Sequence, residues 1–239
     1  MTADTLSESG PGAGPGPRPG VGTLRRSPLG HLAGVHAEHS TTGPRGVRLR
    51  ELPFLSQLDL QLAATGTAAQ RLGRVLGTPL PGTPNTVATA GAWRVLWLGP
   101  EEWLAIGPDC AGPRTAELLH AALEDEPGSV VDVSANRTTL ELAGPSARAV
   151  LEKGCTLDLH PRAFGPGDCA QTLLAKVNVV VQQTAADPVY HLLVRGSFAG
   201  YLSDWLLDAM EEYRRASYTP GPDELQSFAI HQACSRATT

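Results

Sequence analysis

The sequence predicts an α+β fold in which helices cover a mainly antiparallel sheet. From Trp93 onward, the local patterns follow the order strand, strand, helix three times, which is typical of an α+β layer architecture. The predicted strands alternate apolar and polar residues or are rich in β-branched residues, and the predicted helices repeat apolar residues at helical spacing. The repeat lies in the predicted elements only, because the residues themselves do not repeat.

The segment before Trp93 adds one strand region and one short helix. Residues 47–62 alternate imperfectly, and Leu58, Leu60 and Leu62 share one face of a predicted strand. Residues 68–75 favour a short helix. Residues 77–85 are rich in proline and glycine and therefore predict a loop.

The first two strand–strand–helix units follow directly. Residues 93–98 and 103–106 predict a hairpin that turns at Gly99-Pro100, and residues 115–123 predict an amphipathic helix. In the second unit, residues 129–133 and 138–142 are the strands and residues 145–153 the helix. Pro145 suits the first helical turn, because its missing N–H would be unpaired there anyway.

The third unit contains the strongest predicted helix. Residues 171–182 and 189–194 predict two strands, and residues 198–213 predict the helix. An apolar stripe at the i, i+3, i+4, i+7 spacing predicts that one face of this helix is buried. The stripe consists of Phe198, Tyr201, Leu202, Trp205, Leu206, Ala209, Met210 and Tyr213.

Composition divides the chain into three parts. Residues 9–22 read SGPGAGPGPRPGVG, and such a segment buries too little apolar surface to offset its chain entropy. We therefore predict a disordered tail over residues 1–46, one ordered domain over residues 47–215 and a flexible C-terminal tail over residues 216–239. About 170 ordered residues are enough for one core.

Charge and hydropathy exclude several classes of partner. The formal net charge is −5 and no stripe of lysine and arginine is visible, which argues against nucleic-acid binding. No run approaches the ~20 apolar residues of a membrane helix, and the N-terminus lacks the apolar stretch of a signal peptide. We therefore expect a cytoplasmic protein with neither nucleic-acid nor membrane partners.

The sequence offers no strong catalytic motif. The glycine-rich pattern GxGxxG, a phosphate-binding loop, the zinc motif HExxH and the nucleophile elbow GxSxG are all missing. Cys155, His160 and Cys169 fall close together, so a thiol or metal site is an alternative to ordinary packing cysteines. Their spacing fits no zinc template and a fourth ligand is missing, so we predict no catalytic, cofactor-binding or metal-binding residues.

Three arginines stand at connections between predicted elements. Arg137 lies in the tight connection between two strands, Arg162 in the loop after the predicted helix at residues 145–153, and Arg195 at the end of a strand. Each suits either an ion pair within the fold or a contact with another chain, since arginine is enriched at protein interfaces. The candidate interface residues are Arg137, His160, Arg162, Phe164 and Arg195.

Blocks of sequence spread over residues 47–213 resemble the gamma subunit of heterotetrameric sarcosine oxidase. They are ELPFLSQLDLQL, WLGPEEWLAI, VVDVSANRTTLELAGPSAR, KGCTLDLHPRAF, CAQTLLAK and LLVRGSFAGYLSDWLLDA. That family is more distantly similar to the folate-binding aminomethyltransferase fold, which includes the T-protein of the glycine cleavage system. The resemblance therefore implies an aminomethyltransferase-like α+β fold.

The resemblance also implies a function within a complex of alpha, beta, gamma and delta subunits. Such a complex is an oxidoreductase that acts on the CH–NH group of sarcosine with oxygen as acceptor. It yields glycine, hydrogen peroxide and a one-carbon unit that passes to tetrahydrofolate. FAD, FMN, NAD, tetrahydrofolate and zinc are expected on the partner subunits. This chain is then expected to be non-catalytic and to support assembly.

One departure from the folate-using relatives bears on this expectation. Those relatives carry acidic residues in a pattern like GGxxxDD, whereas residues 175–183 of this chain read AKVNVVVQQ and contain no carboxylate. The alternative function, an autonomous folate-dependent aminomethyltransferase, requires an acid facing the folate. We therefore expect the isolated chain to bind neither flavin nor folate.

Overall fold

The computed structural model describes residues 25–215, which form two five-stranded antiparallel sheets with helices against them. In spatial order, sheet I consists of β1 (Arg48–Leu52), β7 (Arg137–Ala143), β10 (Val189–Arg195), β9 (Val177–Ala185) and β8 (Cys169–Leu174). Sheet II consists of β3 (Val87–Ala90), β4 (Trp93–Gly99), β5 (Glu102–Gly107), β2 (Ser56–Leu62) and β6 (Gly128–Asp132). The predicted α+β fold with antiparallel pairing is confirmed.

The helices lie between the strands in sequence and against the sheets in space. After a single 3₁₀ turn at Gly30–Leu32, they are α1 (Ala33–His39), α2 (Thr67–Leu76), α3 (Gly112–Leu123), α4 (Ala147–Glu152) and α5 (Gly196–Arg215). Helices α4 and α5 share a core with sheet I, and α2 and α3 share one with sheet II. None of the helices in the described residues is long and apolar enough to cross a membrane.

The presence of two sheets is the main difference from the predicted architecture. Strands β6 and β7 follow each other in sequence, yet β6 pairs with β2 in sheet II and β7 pairs with β1 and β10 in sheet I. The short turn between them, closed by the bond from Asn136 N–H to the Val133 carbonyl, carries the chain from one sheet to the other. Alternation within a strand shows that one face is buried, but it does not show which neighbour the strand pairs with.

The third unit also contains one more strand than predicted. Residues 171–182 are not one strand but parts of the hairpin β8–β9, which turns at Ala175 and Lys176. Ala175 has a φ of +54°, a conformation in which glycine or asparagine is the usual residue. The turn was missed because neither Ala175 nor Lys176, the two residues at the turn, is a typical turn residue.

Three apolar layers hold the molecule together. Leu58, Leu60 and Leu62 are buried on the helix-covered face of sheet II, as their alternation predicts. The helix-covered face of sheet I forms the largest cluster, which includes Leu202, Leu206 and Met210 of α5. The two sheets meet through a smaller cluster made of Leu96, Leu104, Ile106, Cys169, Val180 and Leu193.

The segment before residue 47 is partly folded, so the prediction of a disordered tail over residues 1–46 is wrong for its second half. Leu29 is only 1% exposed, and α1 contacts β1 and α5. His36 Nε2 lies 2.7 Å from the Ser203 hydroxyl in a buried contact. A seven-residue helix containing glycine has little stability of its own, so packing rather than local propensity stabilises it. Residues 1–24 and 216–239, the rest of the predicted tails, lie outside the described residues.

The apolar stripe of α5 is buried only from its second turn onward. Leu202, Leu206 and Met210 are fully buried, whereas Phe198 is 49% exposed and Tyr201 is also exposed. Trp205 is half-buried and lies close to Gly154, where any side chain would meet the indole ring. The predicted stripe is therefore confirmed for its C-terminal part, and its first turn presents aromatic rings to solvent.

Gly144 ends β7 in a conformation that no other residue suits. Its φ is +118°, and a Cβ at this position would come within 2.7 Å of the Gly46 carbonyl oxygen. Gly167 has a φ of +89°, yet a Cβ there would meet nothing within 4 Å. A side chain at either position would strain the backbone, but only a side chain at Gly144 would also clash with a neighbour. Comparing the two positions therefore distinguishes the cost of strain from the cost of the clash.

We expect Gly144→Ala to lower the free energy of unfolding by about 1–3 kcal/mol more than Gly167→Ala. Both changes add the strain of a positive φ, but only the first forces the segment around Gly46 away from the turn. Urea denaturation of the two variants beside the wild-type chain measures the difference. Equal losses would mean that strain alone accounts for the requirement for glycine at Gly144.

Candidate subunit interface

The structure brings together two of the five predicted interface residues. Arg137 and Arg195 are directly opposite each other in the β7–β10 register, at the edge of sheet I where β7 begins and β10 ends. Arg137 is half-buried and Arg195 is exposed. Among the described residues, neither guanidinium has a hydrogen bond or an ion pair, while the Arg137 carbonyl accepts a hydrogen bond from Gln57. Like charges directly opposite on neighbouring strands repel each other, so an anion bound between the two guanidinium groups would stabilise the pair.

Three adjoining cavities surround this arginine pair. Both arginines line a cavity of about 370 Å³ on the sheet surface. Arg195 also lines a cavity of about 230 Å³ beside Lys176 and Phe198. Arg137 also lines one of about 330 Å³ beside Arg25 and other residues of the N-terminal segment. The pair therefore lies at the centre of an open, positively charged depression.

His160 and Arg162 lie apart from the arginine pair, in the loop between α4 and β8. Both side chains are exposed. The His160 N–H donates to the Asp158 carboxylate at 2.9 Å, and the Arg162 N–H donates to His160 Nδ1 at 3.2 Å. These bonds fix a compact turn, which remains a predicted contact surface.

Phe164 is placed differently from its prediction. It is only 4% exposed and belongs to the core between sheet I and its helices. Its ring therefore has a packing function in this chain and presents no surface to a partner. A phenylalanine in a loop of mixed polarity gives no local signal for burial, which explains the error.

The cysteine and histidine alternative finds no support in the geometry. Cys169 is buried between the sheets, and burial raises the pKa of its thiol to about 12. Its Sγ lies 3.5 Å from the Trp97 carbonyl oxygen. A thiol with this pKa is protonated at neutral pH and is a poor nucleophile. Residues 25–215 contain no group of three or more side chains arranged to hold a metal ion.

A polar chain between the two sheets was not predicted from the sequence. Arg94 Nη1 lies 2.8 Å from His191 Nδ1, and His191 Nε2 lies 3.4 Å from Glu141 Oε2. Glu141 also accepts two hydrogen bonds from Arg50, at 2.7 and 3.0 Å. Because Arg94 only donates, Nδ1 of His191 accepts and its Nε2 carries the hydrogen towards Glu141.

This chain of contacts shifts the pKa values of its members. Burial and the positive charge of Arg94 together lower the pKa of His191 to about 4, although Glu141 acts in the opposite direction. Burial raises the pKa of Glu141, but the hydrogen bond and charge of Arg50, with His191, outweigh burial and lower it. His191 is therefore neutral and Glu141 ionised at neutral pH. The Arg94–His191 bond joins the sheets, and Glu141 holds His191 from within sheet I.

Residues 175–183, which contain no carboxylate, form the β8–β9 turn and most of β9. Asn178 is exposed, whereas Gln182 and Gln183 are buried. The side-chain oxygens of both glutamines have no hydrogen-bond partner within the described residues. The polar side chains of residues 177–183 are therefore neutral amides, and none of them is a carboxylate.

The comparisons with known proteins agree with this architecture. Residues 61–212 match the model of the "Sarcosine oxidase, gamma subunit family". The chain belongs to this family. A sarcosine oxidase subunit gamma of Corynebacterium sp. (strain P-1) is 44% identical over 192 residues, which are 80% of this chain and 92% of the relative. A relative of the same name from Arthrobacter sp. has the same identity and coverage.

Solved structures extend the family likeness to the fold. A chain of heterotetrameric sarcosine oxidase from Corynebacterium sp. U-96, in complex with pyrrole 2-carboxylate, is 39% identical with a TM-score of 0.76. The match covers 83% of this chain and 99% of that one. Aminomethyltransferase T of the glycine cleavage system from Bartonella henselae is 14% identical with a TM-score of 0.54, covering 75% of this chain and 49% of that one. This second likeness shows that this chain shares the fold of about half of that aminomethyltransferase.

Proposed function

We propose that this chain is the gamma subunit of a heterotetrameric sarcosine oxidase and supports the assembly of that complex. The match to almost the full length of a chain from the heterotetrameric enzyme, at 39% identity, carries the proposal. Because the match covers 83% of this chain and 99% of that one, we expect the surfaces of that chain to have counterparts here.

We infer that the chain contributes no catalytic group. The buried histidines and the buried cysteine have structural partners instead. His191 joins the sheets through Arg94 and Glu141, and His36 contacts the Ser203 hydroxyl. Burial raises the pKa of the Cys169 thiol to about 12. These contacts support a subunit that stabilises a complex.

In this proposal, the chemistry belongs to the other subunits. The complex oxidises sarcosine with oxygen to glycine and hydrogen peroxide, and passes the one-carbon unit to tetrahydrofolate. FAD, FMN, NAD, tetrahydrofolate and zinc are then held by the alpha, beta and delta subunits. The amide-bearing strand β9 supports this division, because a charged folate amine buried beside it would lack an opposing carboxylate.

Co-purification tests the proposal. We expect the full chain, co-expressed with tagged alpha and untagged beta and delta subunits, to elute with the tagged subunit as one complex with sarcosine oxidase activity. Omitting this chain is expected to reduce the yield of that complex at least tenfold.

Isolated chain provides the control for this experiment. It is expected to be colourless and to give no heat beyond dilution when titrated with tetrahydrofolate. Failure to join the tagged subunit would refute the assembly role. Micromolar folate binding by the isolated chain would instead favour an autonomous folate-dependent aminomethyltransferase.

A further inference from the structure

A single row of side chains crosses four strands of sheet I. Leu173 is opposite Asn178 in the β8–β9 register, and Arg195 is opposite Arg137 in the β10–β7 register. The β9–β10 register, continued by one residue, places Asn178 beside Arg195. We refer to Leu173, Asn178, Arg195 and Arg137 as the arginine row. With neighbouring strands about 4.8 Å apart, it is roughly 14 Å long.

The arginine row is open to solvent. Leu173 is 40% exposed, Asn178 and Arg195 are exposed, and Arg137 is half-buried. All four residues line the cavity of about 370 Å³ on the sheet surface. A leucine exposed on a sheet surface beside a polar cavity is available to a partner that brings its own apolar group.

The charge of this depression is not balanced by the residues that line it. The three adjoining cavities contain arginine or lysine side chains, and among the described residues no aspartate or glutamate lines any of them. Arg137 lowers the pKa of Asp59 while burial raises it, so Asp59 lies within electrostatic reach of Arg137. The Arg25 guanidinium, in one of the three cavities, is already paired with Asp109 at 2.6 Å, so Arg137 and Arg195 carry the charge that a partner would meet. In a chain of net charge −5, such a surface favours a negatively charged partner.

Aromatic rings extend the surface beyond the arginine row. Phe198, exposed in the first turn of α5, lines a cavity together with Arg195 and Asn178. Tyr201 follows three residues later and is 44% exposed. Arginine beside exposed aromatic side chains is the composition found at the energetic centres of protein interfaces. A lone inorganic anion would use the arginines but not these rings.

We propose that the arginine row is the docking surface for an acidic segment of another subunit of the complex. A carboxylate of that segment lies between Arg137 and Arg195, where each guanidinium donates hydrogen bonds to it. An apolar neighbour of the carboxylate packs on Leu173 and Phe198. The inference rests on the proposed function, because it takes its partner from the same assembly. The carboxylate relieves the repulsion between the two arginines and fixes the register of the contact.

Charge reversal at the exposed end of the pair tests the proposal. We expect Arg195→Glu to weaken association of the full chain with the other subunits at least tenfold. The measurement is a titration of the chain against the complex of tagged alpha with untagged beta and delta subunits. The matched control is Arg114→Glu, the same charge change at an exposed arginine of α3. The control is expected to associate like the wild-type chain. Raising the salt concentration is expected to weaken wild-type association and to affect the Arg195→Glu chain less.

Folding does not confound this test, because a glutamate at position 195 is opposite Arg137 and removes the repulsion within the chain. The melting temperature of the isolated variant is therefore expected to equal or exceed that of the wild-type chain. If wild-type chain associates and Arg195→Glu associates equally well, the docking proposal is overturned while the proposed function stands. If wild-type chain does not associate at all, the proposed function itself fails.

The chain's own terminal segments are the competing source of a carboxylate. If residues 1–24 or 216–239 cover the arginine row, Arg195→Glu lowers the melting temperature of the full chain but not of a chain that lacks the covering segment. That result would overturn docking of another subunit. Docking of another subunit is supported if Arg195→Glu lowers the melting temperature neither of the full chain nor of the shortened chain, and still weakens association.

Discussion

Trp103→Ala is expected to lower the free energy of unfolding by about 3–5 kcal/mol, the usual cost of removing a buried tryptophan. Trp103 is only 1% exposed and lies in β5, within the core that sheet II shares with α2 and α3. Its Nε1 donates a hydrogen bond of 2.8 Å to the Pro81 carbonyl, which joins the proline-rich loop to the sheet. The substitution leaves both a cavity and an unpaired carbonyl.

Trp97 provides the matched control for this substitution. It is the cross-strand partner of Trp103 on β4 and is half-buried. Trp97→Ala is expected to cost about half as much, because less apolar surface is removed from the core. Urea denaturation with an unchanged m-value measures both losses. If the two variants lose the same free energy, the packing of Trp103 is not what distinguishes this site.

Lowering the pH from 6.5 to 4 is expected to remove on the order of 3 kcal/mol of stability through His191. Burial lowers the pKa of His191 from 6.5 to about 4 in the folded chain. Between these values the unfolded chain binds a proton that the folded chain does not, so acid favours unfolding. The stabilisation is fully present above pH 6.5 and is lost as the pH falls towards 4.

His191→Gln is the control for the pH dependence. A glutamine side chain can accept from Arg94 and donate to Glu141, but it does not titrate. We expect the free energy of unfolding of this variant, measured by urea denaturation at several pH values, to fall less steeply between pH 6.5 and 4.5 than that of wild type. Burial also lowers the pKa of His36, so a smaller dependence of the same sign remains in the variant. Identical slopes for variant and wild type would show that His191 is not the group responsible.

The location of the candidate site could be predicted only in part. Arg137 and Arg195 were singled out because arginine at a strand end suits an interface, but they are 58 residues apart in sequence. Their direct opposition depends on the β7–β10 register. Asn178 and Leu173 were missed, because an exposed leucine in a strand has the same local pattern as a buried one.

Burial of aromatic side chains could likewise be predicted only in part from the sequence. Phe198 fits the helical stripe of α5 yet is exposed, whereas Phe164 was assigned to an interface and is buried. Periodicity reports which face of an element a residue lies on. How far the opposing layer extends along that face decides whether the residue is covered.

The sequence by itself determined the α+β class, most strands and helices after residue 47, and membership of the sarcosine oxidase gamma family. These follow from local periodicity and from blocks of residues that are recognisable in order. Only the tertiary structure decided that there are two sheets, that α1 packs on β1 and α5, and that Arg94 and His191 join the sheets. Each of these depends on contacts between residues distant in sequence, whose energies no local pattern contains.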